Sequence, residues 1–154
     1  MNVSFTGTQA GLTSQQVTML TRLIVNLRDT GTTFHHGDCI GADAQASVVV
    51  SQLTAWRIIA HPCDIDRKRA WTTAHEYRPV KKPLPRNRDL VKECDLLVAC
   101  PGTMYEVLRS GTWATVRYAH EQGRAVCTVF PDGRLIVESL TALQASLVST
   151  VVGA

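Results

Sequence analysis

Three short apolar runs constrain the fold of this chain more than any other feature of its sequence. WRIIA at 56–60, DLLVAC at 95–100 and AVCTVF at 125–130 are almost continuously apolar, with no alternation of apolar and polar positions. Strands with this pattern are buried on both faces, as in parallel sheets that helices cover. Between the runs, apolar residues recur at helical spacing, so strands alternate with helices. We therefore predict an α/β fold, a Rossmann-like three-layer sandwich with a mainly parallel sheet.

Local signals place the remaining elements. Thr13 followed by Gln16 has the capping-box pattern, and it predicts a helix that extends past Leu27 and stops at Gly31. We predict further strands at 3–6 and 32–35 and an edge strand at 134–137. Further helices are predicted at 42–52, 87–94, 110–122 and 139–152, with an irregular segment at 64–85. The length of 154 residues, without a repeat or linker, predicts a single domain over 1–154.

Composition limits the cellular compartment and the class of ligand. No apolar run is long enough to span a membrane, and the first residues lack the pattern of a signal peptide. The five cysteines are odd in number and scattered, which indicates reduced, buried thiols and a cytoplasmic protein. The formal net charge of +3 permits anionic ligands without indicating nucleic acid.

Several polar loops follow the predicted strands directly. They begin at Gly7-Thr8, His36-Gly37-Asp38, His61-Pro62 and Pro101-Gly102. The carboxyl ends of parallel strands meet at one edge of the sheet, and ligands bind outside that edge. We therefore expect Gly7, Thr8, Pro101 and Gly102 to contact a ligand.

The second of these loops is a candidate anion site. Gly37, Asp38, Gly41 and Asp43 belong to the stretch GDCIGAD, which leads into a predicted helix. The first N–H groups of a helix have no partner within it, and glycines let the backbone approach a phosphate. Alternatively, the stretch is a tight turn in which Asp43 caps the helix.

Two further groups of residues could hold an anion. Arg109, Ser110, Gly111 and Thr112 combine a fixed positive charge with hydroxyl groups and a flexible glycine at a helix start, although a capped surface helix has the same pattern. Arg86 is expected on a loop, where it could bind a phosphate or carboxylate, although at least one of two arginines as close as Arg86 and Arg88 usually faces solvent. Asn87 could cap the next helix or hold a loop.

Patterns for catalysis or metal binding are weaker. His35, His36, Cys39, His61 and Cys63 invite a zinc hypothesis, but their spacing matches no finger or ribbon, and adjacent strand residues point to opposite sides. We expect no metal and no cofactor. Among the acidic residues, Glu106 is the best candidate for a general base or an oxocarbenium stabiliser.

These segments, in this order and spacing, resemble the SLOG superfamily, which includes the YspA/YpsA-related proteins, the DNA-processing protein DprA (Smf) and the LOG phosphoribohydrolases. The small YspA-like domains are the most similar. The matching segments are His36 to Ala44, Pro85-Arg86-Asn87-Arg88, Arg109 to Thr115 and Gly123 to Val126. The resemblance covers roughly residues 3–131. It implies a Rossmann-like fold, a nucleotide-derived ligand and a homo-oligomer, either a dimer or a tetramer.

The resemblance also assigns residues to the ligand, with two departures. It implies that the first loop, the Arg86-Asn87 pair and the second loop at 110–112 all contact the ligand. Members often carry a basic residue after the first glycine, whereas Gly7-Thr8-Gln9 is neutral. The LOG enzymes have a catalytic glutamate in the pattern PGGxGTxxE, and no acidic residue occupies that register here.

We therefore predict a domain that binds or senses a nucleotide or a nucleotide-like small molecule. The first alternative is an N-glycosidase, a phosphoribohydrolase-like enzyme acting on nucleoside 5′-monophosphates with Arg86 and Glu106 as catalytic residues. The second is DprA-like binding of single-stranded DNA, which the low net charge and the lack of a basic stripe disfavour.

Overall fold

The computed structural model describes residues 1–152 of the chain. It contains seven strands and five α-helices in the described residues, with one short 3₁₀ helix at Asp66–Lys68. In chain order the elements are β1 (Asn2–Gly7), α1 (Ser14–Leu27), β2 (Thr33–His36), α2 (Ala42–Leu53), β3 (Arg57–Ala60), β4 (Glu76–Tyr77), α3 (Pro83–Lys92), β5 (Leu96–Cys100), α4 (Gly111–Glu121), β6 (Ala125–Val129), β7 (Leu135–Glu138) and α5 (Ala142–Val152).

All seven strands form one sheet in the order β4-β3-β2-β1-β5-β6-β7. Every neighbouring pair is parallel except β6 and β7, which form an antiparallel edge. The chain builds outward from β1 through β2 and β3, and then returns to the other side of β1 to form β5. The order of the strands therefore reverses between β1 and β5, which is where ligands bind in open α/β sheets.

Helices cover both faces of the sheet, and successive residues of each central strand point into different layers. Leu96, Val98 and Cys100 of β5 join a core cluster with α1, α2 and α5. Leu97 and Ala99 join a second cluster with α3 and α4. This alternation explains why the strands are apolar throughout, and it confirms the predicted three-layer α/β class.

Two helix starts illustrate what local sequence can predict. Thr13 caps α1 with both hydrogen bonds of the capping box, as predicted. Helix α3 begins at Pro83, four residues earlier than predicted. Proline is tolerated in the first turn because the N–H group it lacks would have no partner there. The predicted start at 87 was therefore wrong, and Arg86 lies in a helix and not on a loop.

The segment between β3 and α3 adds the short strand β4 to the sheet edge beside β3. A buried carboxylate on the β2–α2 loop holds this segment. Asp38 accepts hydrogen bonds from Arg69 at 3.0 and 3.1 Å and from the backbone N–H and hydroxyl of Thr72 at 2.9 and 2.7 Å. Asp38 therefore anchors the irregular segment to the loop beside the predicted ligand site.

The structure also bears on two expectations from composition. All five cysteines are buried and unpaired. Among the described residues, no helix has both the length and the apolar character that crossing a membrane requires.

Candidate ligand site

A cavity of about 380 Å³ lies outside the carboxyl ends of β1 and β5, at the point where the strand order reverses. Loops after β1, β2 and β5, the first turn of α4 and the part of α3 from Arg86 to Leu90 surround it. Its lining residues are Phe5, Thr6, Gly7, Thr8, Gln9, Gly37, Cys39, Asp43, Arg86, Asn87, Leu90, Gly102, Thr103, Val107, Ser110, Gly111 and Thr112. The volume falls within the usual range for small-molecule sites, about 300–1,000 Å³.

The structure brings ten of the fourteen predicted ligand-binding residues to this cavity. These are Gly7, Thr8, Gly37, Asp43, Arg86, Asn87, Gly102, Ser110, Gly111 and Thr112. The other four, which are Asp38, Gly41, Pro101 and Arg109, do not line it. Whether the lining residues bind a ligand stays a prediction.

Those four residues have other surroundings. Asp38 is fully buried against Arg69 and Thr72. Gly41 has a φ of +83° and lies so close to the β1 loop that an added Cβ would be 2.3 Å from the carbonyl oxygen of Gln9. The buried Pro101 carbonyl accepts a hydrogen bond from Gln16. Arg109 is exposed.

The glycine loop after β2 is not the open anion site that we expected. The Asp43 carboxylate turns back from the first turn of α2 and accepts hydrogen bonds from the N–H groups of Gly37, at 2.9 Å, and Cys39, at 3.2 Å. The N–H group of Ile40 donates to Lys68, and that of Ala42 donates to Thr8. A phosphate would have to displace these partners and would face a carboxylate, so this loop shapes the cavity wall instead.

Arg86 is also held differently from the prediction. Only 7% of the residue is exposed. Its guanidinium donates to the carbonyl oxygens of Gly37 and His61 at 2.6 and 3.1 Å, and to Asn87 Oδ1 at 2.7 Å. These contacts connect α3 to the ends of β2 and β3. Arg86 therefore stabilises the packing of these elements and forms one wall of the cavity.

Among the described residues, Asp43 is the one carboxylate that lines the cavity. Burial raises its pKa to about 6, while the Arg86 guanidinium and the N–H groups of the β2 loop oppose that shift. Burial also raises the pKa of the Cys39 thiol to about 11, which favours the neutral thiol over the thiolate near neutral pH.

The N-terminus of α4 forms an open part of the lining. Ser110 caps the helix, and its hydroxyl accepts a hydrogen bond from the N–H group of Trp113. The first two N–H groups, on Gly111 and Thr112, have no possible acceptor within the helix. A Cβ added at Gly111 would find Asn87 Nδ2 at 3.9 Å as its nearest neighbour, so the space beside this glycine is open.

Glu106 requires a correction. It is exposed in the loop between β5 and α4, outside the cavity lining. Its carboxylate lies 3.4 Å from Arg117, on the outer side of α4. The loop therefore does not fold back to bring an acid to the cavity, and the catalytic role expected for Glu106 has no geometric basis.

Sequence reasoning missed seven of the lining residues, namely Phe5, Thr6, Gln9, Cys39, Leu90, Thr103 and Val107. Phe5 and Thr6 end β1 beside Gly7, and Gln9 follows Thr8, so proximity to the first loop was a usable signal. Leu90 lies one helical turn after Arg86, on the same face of α3. Nothing in the local sequence marks Val107.

Comparison with solved structures supports the fold assignment. The structure of a protein designated TM1055 is 16% identical, with a TM-score of 0.60, over 81% of this chain and 71% of its own. The molybdenum cofactor binding protein from the phototrophic bacterium Rippkaea orientalis is 15% identical, with a TM-score of 0.63, over 99% of this chain and 84% of its own. No protein family and no curated protein matches the sequence. At these identities the likeness shows a shared α/β fold and no specific activity.

Proposed function

We propose that this chain binds a nucleotide or nucleotide-like phosphorylated small molecule in the cavity between β1 and β5, and that it acts as a binding or sensing domain. The observation that carries the proposal is the open N-terminus of α4 inside a cavity at the reversal point of the sheet. The resemblance to the SLOG superfamily points to the same class of ligand.

The phosphate would lie at the N-terminus of α4. The N–H groups of Gly111 and Thr112 and the Thr112 hydroxyl are donors at this end, where the helix dipole favours an anion. Gly111 presents no side chain, so a phosphate can approach the backbone closely. Asn87 adds a further donor, because Arg86 occupies its Oδ1 atom and its Nδ2 atom lies towards Gly111.

The remaining lining suits the rest of such a ligand. The partly exposed Val107 contributes apolar surface, against which a flat heterocycle can pack, while Phe5 and Leu90 border the same cavity as buried residues. Thr6 and Gln9 contribute polar groups that can orient it. Small-molecule sites commonly combine a mostly apolar wall with a few polar groups in this way. One neighbour in fold is described as a molybdenum cofactor binding protein, which agrees with a small-molecule ligand.

Binding without turnover is favoured over glycosidic hydrolysis. Hydrolysis of an N-glycosidic bond needs an acidic group near the sugar. Asp43, the only carboxylate that the described part of the chain brings to the lining, accepts two backbone hydrogen bonds and faces Arg86. Glu106 lies outside the lining. If free base is released, Asp43 is therefore the group to test.

A panel of nucleoside mono-, di- and triphosphates tests the proposal, with melting temperature and released base followed together. We expect stabilisation without base release. Thr112→Val removes a hydroxyl at nearly constant volume and should weaken binding about tenfold, the effect of one lost hydrogen bond. Glu106→Gln, outside the cavity, is the control and should change nothing.

Other outcomes would favour one of the alternative functions. Base release that Asp43→Asn abolishes would indicate an N-glycosidase. A lack of response to every nucleotide, together with salt-dependent binding of single-stranded DNA, would indicate the DprA-like alternative. A response that Thr112→Val leaves unchanged would contradict the phosphate position at α4.

A further inference from the structure

Three side chains outside the ligand cavity converge on one point. His35 lies on β2, His61 directly follows β3, and Glu93 caps the C-terminus of α3. His35 Nδ1 and His61 Nε2 are 2.9 Å apart, and Glu93 Oε2 lies 3.1 Å from His61 Nε2 and 3.5 Å from His35 Nδ1. We call these three residues the His–His–Glu cluster. Both imidazoles are buried, with 3% and 2% of the side chains exposed.

Neighbouring groups fix which atoms face the centre of the cluster. The Thr33 hydroxyl donates to Asn2 Oδ1 at 2.7 Å, which leaves its oxygen to accept from His35 Nε2 at 3.2 Å. A proton on Nε2 leaves the lone pair of His35 Nδ1 pointing into the cluster. Arg78 donates to Glu93 Oε1 at 3.2 and 3.3 Å, so the other carboxylate oxygen faces the imidazoles. Outer partners of this kind orient the ligands of metal sites.

As it stands, the cluster does not satisfy all three of the atoms that face its centre. A single N–H group forms the hydrogen bond between the two imidazoles, so it cannot also donate to Glu93 Oε2. Within the described residues this buried oxygen accepts no hydrogen bond.

The distances match those of a metal-binding triad. Three ligand atoms that are each about 2.1 Å from one ion are separated by about 3.0 Å on the face of an octahedron and about 3.4 Å on the face of a tetrahedron. The three observed separations, 2.9, 3.1 and 3.5 Å, cover this range. Two imidazoles and one carboxylate are a ligand set of zinc enzymes and of non-haem iron proteins.

We propose that His35, His61 and Glu93 bind a divalent transition-metal ion of the zinc class, with a further coordination position open to solvent. His35 and Glu93 line a second cavity of about 420 Å³, which provides a path for the ion. Arg78, Lys92 and Arg124 also line this cavity, so an anion or water could complete the coordination. This site and the ligand cavity lie at different places along the sheet and can be tested separately.

Direct titration tests the proposal without any nucleotide. Protein freed of metal by a chelator is titrated with Zn²⁺ by calorimetry and with Co²⁺ by absorption spectroscopy. We expect one equivalent of each to bind. The Co²⁺ spectrum should lack a thiolate charge-transfer band, because the three ligands are two nitrogens and an oxygen.

Variants identify the ligands. Glu93→Gln keeps the shape of a partly exposed side chain and should lower the affinity at least by the roughly 10–100-fold that loss of an outer partner costs. His61→Asn should do the same. His120→Ala is the matched control, since His120 lies on the surface, 3.5 Å from Glu138 and outside the cluster.

Circular dichroism of the metal-free variants checks that each is folded, and Glu93→Gln keeps the test open if His61→Asn does not fold. The proposal is overturned if the wild type binds neither ion. It is also overturned if Glu93→Gln binds as tightly as the wild type, or if a thiolate band shows that cysteines hold the cobalt.

Discussion

Replacing Gly111 by alanine should weaken ligand binding without destabilising the fold. Gly111 is the first residue of α4 and lines the cavity. Its φ does not lie in the left-handed region, and the nearest atom to an added Cβ is Asn87 Nδ2, at 3.9 Å. The chain itself therefore gives no steric reason for glycine at this position. A methyl group there would occupy the space beside the N–H groups proposed to hold the phosphate.

The expected effects on folding and on binding have opposite signs. Alanine restricts the unfolded chain without straining the native state, so the free energy of unfolding should stay the same or rise by about 0.4–1 kcal/mol. A phosphate bound to the Gly111 and Thr112 N–H groups must move away from the methyl group. We expect the affinity to fall at least tenfold, which corresponds to about 1.4 kcal/mol.

Urea unfolding measures the first effect, and calorimetry with the nucleotide that stabilises the wild type most measures the second. Gly123→Ala is the control for which we expect the opposite result. Gly123 has a φ of +67° and lies outside the cavity lining, so alanine there should cost about 1–2 kcal/mol of stability and leave the affinity unchanged. Unchanged nucleotide affinity in Gly111→Ala would refute the phosphate position.

Three further predictions concern the buried charges. Arg86→Ala should cost about 3–5 kcal/mol in the free energy of unfolding, because it leaves the buried oxygens of Gly37, His61 and Asn87 without their charged donor. Wild-type stability in urea would contradict this. Asp38→Asn should increase hydrogen exchange in the segment between β3 and α3, because it removes the ion pair with Arg69. Asparagine tolerates the backbone φ of +55° at this position. An increase in exchange spread evenly over the chain would contradict the anchoring role of Asp38. Because the pKa of Asp43 is raised to about 6 in the folded protein, the folded state binds the proton more tightly and this contribution to stability is lost as the pH rises through 6. Between pH 7 and pH 5 the wild type should therefore gain about 1.4 kcal/mol relative to Asp43→Asn, measured by urea unfolding at each pH, and a constant difference would contradict the raised pKa.

Local sequence predicted most of the elements, because their signals lie within a few residues of each other. The Thr13–Gln16 capping box, the apolar spacing of α1 and the continuous apolar strands are of this kind. The fold class follows from them, because strands buried on both faces need helices in both outer layers. The edge of the sheet where we propose that the ligand binds follows in turn from the parallel direction of the strands.

The tertiary structure decided which side chains face the cavity and what they contact. Asp43 turns back to the N–H groups of the β2 loop, Arg86 is buried within α3, and Glu106 lies on the outer side of α4. The His–His–Glu cluster likewise joins residues from three separate elements. Sequence patterns report the preferences of neighbouring residues, whereas these contacts depend on the packing of segments far apart in the chain, which local preferences do not determine.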